Sequence, residues 1–162
     1  MDSALYDKFL SNQSKLYRFA YSLTKNVSDA EDIHQETLIK IWEMREHWDE
    51  WRNFEAYSMR MTRTVYLNFY KAKNRHPYLD LSEVIENPVQ NDIEKNITIN
   101  DLKYTFNTMI MNLPKLQQNI LYLREIEELE YKEIAHILDI TESQVKVYLF
   151  RGRQYIKNNF RK

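Results

Sequence analysis

The chain has 162 residues, with no cysteine, one glycine and three prolines. The lack of cysteine excludes a disulfide framework and thiolate metal sites, and it is typical of the reducing cytoplasm. Sheet proteins need many turn residues, so the scarcity of glycine and proline predicts an all-α fold. No apolar run approaches the roughly 18 residues of a membrane span, and the N-terminus lacks the pattern of a secretion signal. We therefore expect a cytoplasmic protein without membrane insertion.

The formal net charge is −1, but the charges are segregated along the chain. Residues 59–75 and 143–162 contain five and six basic residues and no acidic residue. Residues 29–55 contain nine acidic residues against three basic ones. This distribution predicts two surfaces that face a polyanion and a third that faces a basic partner.

Apolar periodicity and capping residues predict the helices. The expected ranges are 3–25, 28–45, 54–74, 101–112, 114–128, 131–138 and 142–158. Ser28 with Glu31, and Thr141 with Gln144, have the spacing of capping boxes. Pro114 suits the first position of a helix, because its missing N–H would have no partner there. We expect residues 47–54 to form an aromatic loop and residues 76–100 to form a linker.

The strongest local pattern is a helix-turn-helix at residues 131–157. A short helix and a longer one are separated by a three-residue turn at 139–141, as in DNA-binding proteins. Val145, Leu149, Gly152 and Ile156 share the inward face, so the only glycine is expected where two helices cross. The outward face carries the candidate DNA contacts Gln144, Lys146, Val147, Phe150, Arg151 and Arg153. The alternative is a helical hairpin with a solvated basic face.

The first basic segment contains aromatic residues at helical spacing, namely Tyr66, Phe69 and Tyr70. Aromatic rings beside cations suit single-stranded DNA, because unstacked bases can stack on them. The preceding loop offers further candidates for holding a flipped base, which are His47, Trp48, Trp51 and Asn53. For each ring the alternative is a role in the core.

Two Glu-x-x-His pairs, Glu31 with His34 and Glu133 with His136, have the spacing found in di-iron bundles. Such sites need two further glutamates on two other long helices. The helix of the second pair is too short for this architecture. We therefore expect no metal, no cofactor and no enzymatic activity.

Taken in order, the segments 29–43, 54–75 and 113–157 resemble an extracytoplasmic-function (ECF) sigma factor, the promoter-reading subunit of bacterial RNA polymerase. The resemblance implies two small helical domains joined by a linker. These are a sigma region 2 domain at 1–75, the linker at 76–100, and a sigma region 4 domain with the helix-turn-helix at 101–162.

The resemblance also implies roles for individual residues. Asp32, Gln35 and Glu36 match positions that dock on the coiled coil of the polymerase clamp. The −10 element is expected to contact Trp48, Trp51, Asn53, Arg60, Arg63, Asn68 and Lys71. At −35 the matching residues are Lys146, Val147, Phe150 and Arg151, beside Gln144 and Arg153 on the same helix. Glu130 replaces the usual serine cap, so the first helix of the helix-turn-helix is expected to start less firmly.

The implied function is to bring core RNA polymerase to promoter DNA and to help open the strands. The implied partners are core polymerase, promoter DNA and an anti-sigma factor, which in this family is often membrane-bound. A helix-turn-helix repressor or activator is the alternative, but it leaves the acidic segment and the first basic segment unexplained. An adaptor without DNA contact leaves both basic segments unexplained.

Overall fold

The computed structural model describes residues 2–73 and 99–160, which are helical apart from short connections. The helices are α1 (Ser3–Thr24), α2 (Val27–Glu43), α3 (Phe54–Lys73), α4 (Ile99–Met111), α5 (Lys115–Leu121), α6 (Tyr131–Leu138) and α7 (Glu142–Phe160). The all-α prediction is confirmed over these ranges. Residues 74–98, and with them almost all of the predicted linker, lie outside the described residues.

The chain divides into two compact units, with α1 to α3 in the first and most of the later helices in the second. In the first unit each of the three helices packs against the other two. The inward positions are apolar at helical spacing, so burial of these stripes stabilises the bundle. Its buried apolar residues include Leu16, Phe19, Leu23, Ala30, Ile33, Ile41, Met59 and Val65.

The start of α2 differs from the prediction by about half a turn. Asn26, rather than Ser28, is the N-cap, and its side-chain oxygen accepts the N–H of Asp29 at 2.9 Å. Lys25, one residue earlier, has a left-handed backbone with φ of 53° and ends α1. Asn26 therefore caps α2 directly after the turn, and Ser28 lies inside the helix.

The aromatic segment after α2 is not the loop that the sequence predicted. Residues Arg45–Glu50 form a 3₁₀ helix. Trp48 lies fully inside the first unit, where its indole N–H donates to the carbonyl oxygen of Ile41 at 2.9 Å. Phe9 stacks on the same ring with centroids 5.3 Å apart. A large ring with its one polar group satisfied is a packing anchor, and it fixes the chain between α2 and α3.

In the second unit α5 and α4 both pack against α7. Gly152 of α7 is buried against Leu121 of α5, and a Cβ atom at Gly152 would lie 3.1 Å from Leu121 Cδ1. The predicted helix crossing at the only glycine is confirmed. Val145 and Leu149 are buried on the same side of α7, and Ile156 is half-buried there, as the periodicity predicted.

The single helix predicted over 114–128 is wrong in two respects. Pro114 is the N-cap of α5 rather than its first residue, and α5 ends at Leu121. A π-helical turn, Tyr122–Ile126, follows it. Glu128, three residues before α6, then adopts a left-handed backbone with φ of 56°.

The crossing at Gly152 leads to a prediction about stability. A Gly152→Leu substitution places a side chain where Leu121 already lies, so we expect it to lower the free energy of unfolding by about 1–3 kcal/mol. Adding Leu121→Ala should recover part of this loss. Urea denaturation followed by circular dichroism measures both effects, with Val147→Leu on the exposed side of α7 as the control. An unchanged midpoint for Gly152→Leu would contradict the crossing.

The backbone at Glu128 leads to a second prediction. A left-handed conformation costs a residue with a Cβ about 1–2 kcal/mol, and glycine avoids this while losing more entropy on folding. We expect Glu128→Gly to raise the free energy of unfolding by about 0.5–1 kcal/mol. Lys157→Gly, at an exposed position of α7, should lower it by a similar amount. The same denaturation experiment compares the two variants. A lower urea midpoint for Glu128→Gly would contradict the left-handed conformation of Glu128.

Candidate nucleic-acid and protein interfaces

The exposed side of α2 carries the three residues predicted to contact a basic partner. Asp32, Gln35 and Glu36 are all exposed and lie on one side of the helix, because they are three or four residues apart. They are held outward because Ala30, Ile33, Thr37 and Ile41 are buried on the opposite side. Lys40 pairs with Glu36 at 3.4 Å, which leaves the surface net acidic.

Two apolar residues on the same side of α2 were missed in the sequence. Ile39 is 59% exposed and Trp42 is 37% exposed. Both residues lie off the buried stripe. For example, Ile39 falls midway in the sequence between the buried Thr37 and Ile41, and this position could have indicated its exposure. We call Asp32, Gln35, Glu36, Ile39 and Trp42 together the α2 outer face. It combines carboxylates with exposed apolar area, which is typical of a protein-binding surface.

Asp29 belongs to the acidic segment of the sequence but not to this surface. Its carboxylate is almost buried, and it accepts hydrogen bonds from Lys73 at 3.1 and 3.2 Å and from the Tyr70 hydroxyl at 3.3 Å. Burial, and then the nearby Asp29 carboxylate, raises the pKa of Tyr70 above its usual range. The cluster ties the last turn of α3 to the first turn of α2 and neutralises one of the five cations of residues 59–75.

The three predicted base contacts before α3 are Trp48, Trp51 and Asn53, and they lie in different environments. Trp48 is buried, so the predicted direct contact of Trp48 with a base is not supported. Trp51 is half-buried and stacks on the exposed Tyr57, with centroids 4.7 Å apart and planes at 17°. Asn53 caps α3, where its side-chain oxygen accepts the N–H of Ala56 at 3.0 Å. Trp51 of this segment and Tyr57 of the first turn of α3, which the sequence did not single out, therefore present ring surfaces.

The predicted −10 contacts of α3 share one side of the helix. Arg60 and Arg63 are half-buried, while Asn68 and Lys71 are exposed. Of the interleaved rings, Tyr66 is in the core and contacts Tyr70, with centroids 4.8 Å apart. Burial raises the pKa of Tyr66, and the Arg63 charge opposes this shift. Tyr66 is thus a packing residue, and Asn68 and Lys71 are the most accessible of the four predicted polar contacts.

The helix-turn-helix is formed by α6, a turn at residues 139–141, and α7. Asp139 ends α6 with a φ of 55°. The predicted Thr141–Gln144 capping box is confirmed, with the Thr141 N–H 2.9 Å from Gln144 Oε1 and the Gln144 N–H 3.1 Å from Thr141 Oγ1. The start of α6 is firmer than predicted, because the Glu133 carboxylate accepts the Glu130 N–H at 3.0 Å.

The outward side of α7 presents most of the predicted contacts. Val147 is 47% and Phe150 is 64% exposed, and Lys146 and Arg151 are also exposed. Gln144 is engaged in the capping box, and Arg153 is paired with Glu125 of the π-helical turn at 2.6 Å. The accessible surface of α7 therefore joins apolar and cationic groups of the kinds that contact thymine methyls, base edges and phosphates.

The described residues contain no cluster of acidic or histidine side chains that could hold a metal ion. His34, one of the Glu-x-x-His histidines, is instead hydrogen-bonded through Nε2 to the carbonyl oxygen of Gln13 at 2.8 Å. Burial lowers the pKa of His34. None of the helices in the described ranges is long and apolar enough to cross a membrane.

Two family models match the chain, Sigma-70 region 2 over residues 9–76 and Sigma-70, region 4 over residues 105–156. ECF RNA polymerase sigma factor SigM of Bacillus subtilis (strain 168) is 26% identical, over 94% of this chain and 91% of its own length. ECF RNA polymerase sigma factor SigW of the same organism is 27% identical, over 92% of this chain and 84% of its own length.

Two solved structures share the fold. The sigma factor RpoE of Bartonella quintana, in complex with the anti-sigma factor NepR, matches with a TM-score of 0.70 and 18% identity, over 99% of this chain and 98% of that one. CnrH, in complex with the cytosolic domain of CnrY, matches with a TM-score of 0.66 and 16% identity, over 97% of this chain and 87% of that one. With both sigma-70 regions present in order and with full-length ECF relatives, the chain belongs to the extracytoplasmic-function sigma factors of RNA polymerase.

Proposed function

We propose that this sigma factor binds core RNA polymerase through the α2 outer face and reads its promoters with α3 and α7. The observation that carries the proposal is the separation of surfaces by chemistry. The α2 outer face is acidic and apolar, whereas the charged residues of α3 and α7 are mostly cations. One surface suits a basic protein partner and the other two suit DNA.

Docking on polymerase uses the two kinds of group on the α2 outer face differently. Asp32 and Glu36 attract and orient a basic coiled coil, which favours rapid association and the correct register. Ile39 and Trp42 bury apolar area once the surfaces meet, and buried aromatic side chains commonly dominate the affinity of an interface. Gln35 lies between the two sets and supplies donors and an acceptor for the partner backbone.

At the −10 element the proposal assigns ring stacking to Trp51 and Tyr57. A base that leaves the duplex loses its stacking energy, and stacking on an aromatic ring recovers about 1–3 kcal/mol. Arg60, Arg63, Asn68 and Lys71 lie along α3 to contact the adjacent duplex edge and phosphates. Trp48 acts indirectly, because its burial holds the segment that presents Trp51.

At the −35 element α7 enters the major groove as a recognition helix. Lys146 and Arg151 are placed to contact guanine edges or phosphates, while Val147 and Phe150 meet thymine methyl groups. The Thr141–Gln144 capping box holds the first turn of α7, where recognition helices make base contacts. These roles follow from exposure and residue type.

The proposal keeps the domain boundaries from the sequence, with region 2 at 1–75, a bridging linker at 76–100 and region 4 at 101–162. The family is not catalytic, and we place its action in the cytoplasm with polymerase. We also propose an anti-sigma factor as a partner, since one solved structure with this fold is in complex with an anti-sigma factor and the other with the cytosolic domain of CnrY. A partner that has a cytosolic domain supports the proposal of a membrane-bound regulator here.

The first test is run-off transcription with purified core polymerase and a library of randomised promoters. We expect specific initiation from a subset of the library only when this protein is present, because core polymerase lacks promoter selectivity. The alternative of a repressor or activator predicts duplex binding by the protein alone and no initiation with core polymerase. That second pattern would refute the sigma factor proposal.

The second test reverses charge on the α2 outer face. Asp32→Arg with Glu36→Arg should lower the affinity for core polymerase by at least about a hundredfold, because like charges then oppose each other across the interface. Glu46→Arg with Asp49→Arg makes the same charge change on the exposed 3₁₀ helix and serves as the control. Fluorescence anisotropy of the labelled protein titrated with core polymerase measures both. Equal losses for the two pairs would disprove docking through α2.

A further inference from the structure

The π-helical turn Tyr122–Ile126 is fixed by side-chain contacts on both sides. Arg124 donates to the carbonyl oxygen of Leu129 at 2.8 Å, and its guanidinium lies 5.0 Å from the centre of the Tyr131 ring. The Tyr122 hydroxyl donates to the buried Glu127 carboxylate at 2.7 Å. π-Helical turns are rare and occur frequently at functional sites. This one holds the chain between α5 and α6 in one arrangement.

The same turn directs Glu125 toward α7. Arg153 donates to Glu125 Oε1 through Nε at 2.8 Å and through Nη2 at 2.6 Å. This hydrogen bond is the main reason that the pKa of Arg153 is raised. Two of the donors of the guanidinium are therefore committed to a carboxylate within the second unit, although both side chains remain about half exposed.

Arg153 is also the predicted DNA contact furthest from the start of α7. It follows the buried Gly152 and lies eleven residues after Glu142, which is about 16 Å along the helix. Recognition helices contact base edges mainly with their N-terminal residues. At 100° per residue, Arg153 lies about 160° around the helix from Arg151 but about 20° from Lys146, so it is separated from Lys146 along the helix axis rather than around it.

We propose that Arg153 is a positioning residue rather than a DNA contact: held by Glu125, it fixes α7 against the π-helical turn so that Lys146, Val147, Phe150 and Arg151 meet the −35 element in register. The inference rests on the proposed −35 function of α7. It changes the role of Arg153 from the one expected from the sequence, and it gives a role to Glu125, which the sequence did not single out.

The two possible roles of Arg153 predict opposite effects of Glu125→Gln on the affinity for DNA. If Arg153 bound phosphate, Glu125 would compete with DNA, and Glu125→Gln would tighten DNA binding. If Arg153 positions α7, Glu125→Gln weakens DNA binding even though it removes a negative charge. Exposed ion pairs contribute little, so we expect a loss of about threefold to fivefold. Glu128→Gln removes an exposed carboxylate from the same segment and is the matched control, which should not weaken binding.

The experiment uses the full chain with core polymerase and a labelled promoter selected from the randomised library by the unaltered protein. Binding is measured in the cold, at several salt concentrations, where reversible complexes form. Arg153→Gln should weaken binding about as much as Glu125→Gln, with an unchanged salt slope, whereas Arg151→Gln should reduce the slope by about one. The exchanged pair, Glu125→Arg with Arg153→Glu, should return the affinity to within about twofold of the unaltered protein.

Three results would each overturn the positioning role. These are tighter or unchanged binding for Glu125→Gln, a salt slope reduced by about one for Arg153→Gln, and no recovery in the exchanged pair. Normal binding by Arg151→Gln and by Lys146→Gln would instead refute the −35 function of α7, so the two failures are distinguishable. Thermal unfolding of each variant checks that the second unit remains folded.

Discussion

Burial of one stripe of α2 constrains the entire first unit. Ala30, Ile33, Thr37 and Ile41 face inward, and α2 packs against both α1 and α3. Because the inward side is fixed by burial, the opposite side must face outward whatever its residues are. The acidic and apolar groups of the α2 outer face are therefore displayed by the same interaction that stabilises the bundle.

The same helix holds the two elements that follow it, the 3₁₀ helix and α3, through its two ends. Near its start, the Asp29 carboxylate binds Lys73 and so fixes the last turn of α3. Near its end, the Ile41 carbonyl oxygen accepts the indole N–H of Trp48 and so fixes the 3₁₀ helix. In the proposed mechanism, polymerase docking and −10 reading therefore both depend on α2.

The sequence predicted those features that repeat along a helix. The inward residues of α2 and α7, the helix crossing at Gly152 and the Thr141 capping box all depend on short-range spacing, and the structure confirms them. The sequence could not show which of Trp48 and Trp51 is buried. The two rings lie three residues apart in a segment without helical periodicity, so only the tertiary packing decides it. The π-helical turn was missed for a related reason, because a single π-helical turn is too short to produce a recognisable spacing of apolar residues. Asp29 looked like a surface acid because its partners lie more than forty residues away in the sequence.

Both basic segments contain a cation that is balanced by an acid within its own unit. Lys73 is paired with Asp29, and Arg153 is paired with Glu125. Nonspecific affinity for DNA grows with the number of phosphates that a protein neutralises, so each balanced cation lowers it. In the proposed mechanism, promoter binding therefore depends on core polymerase to supply further electrostatic attraction, and contact with the α2 outer face becomes the step that commits this chain to a promoter.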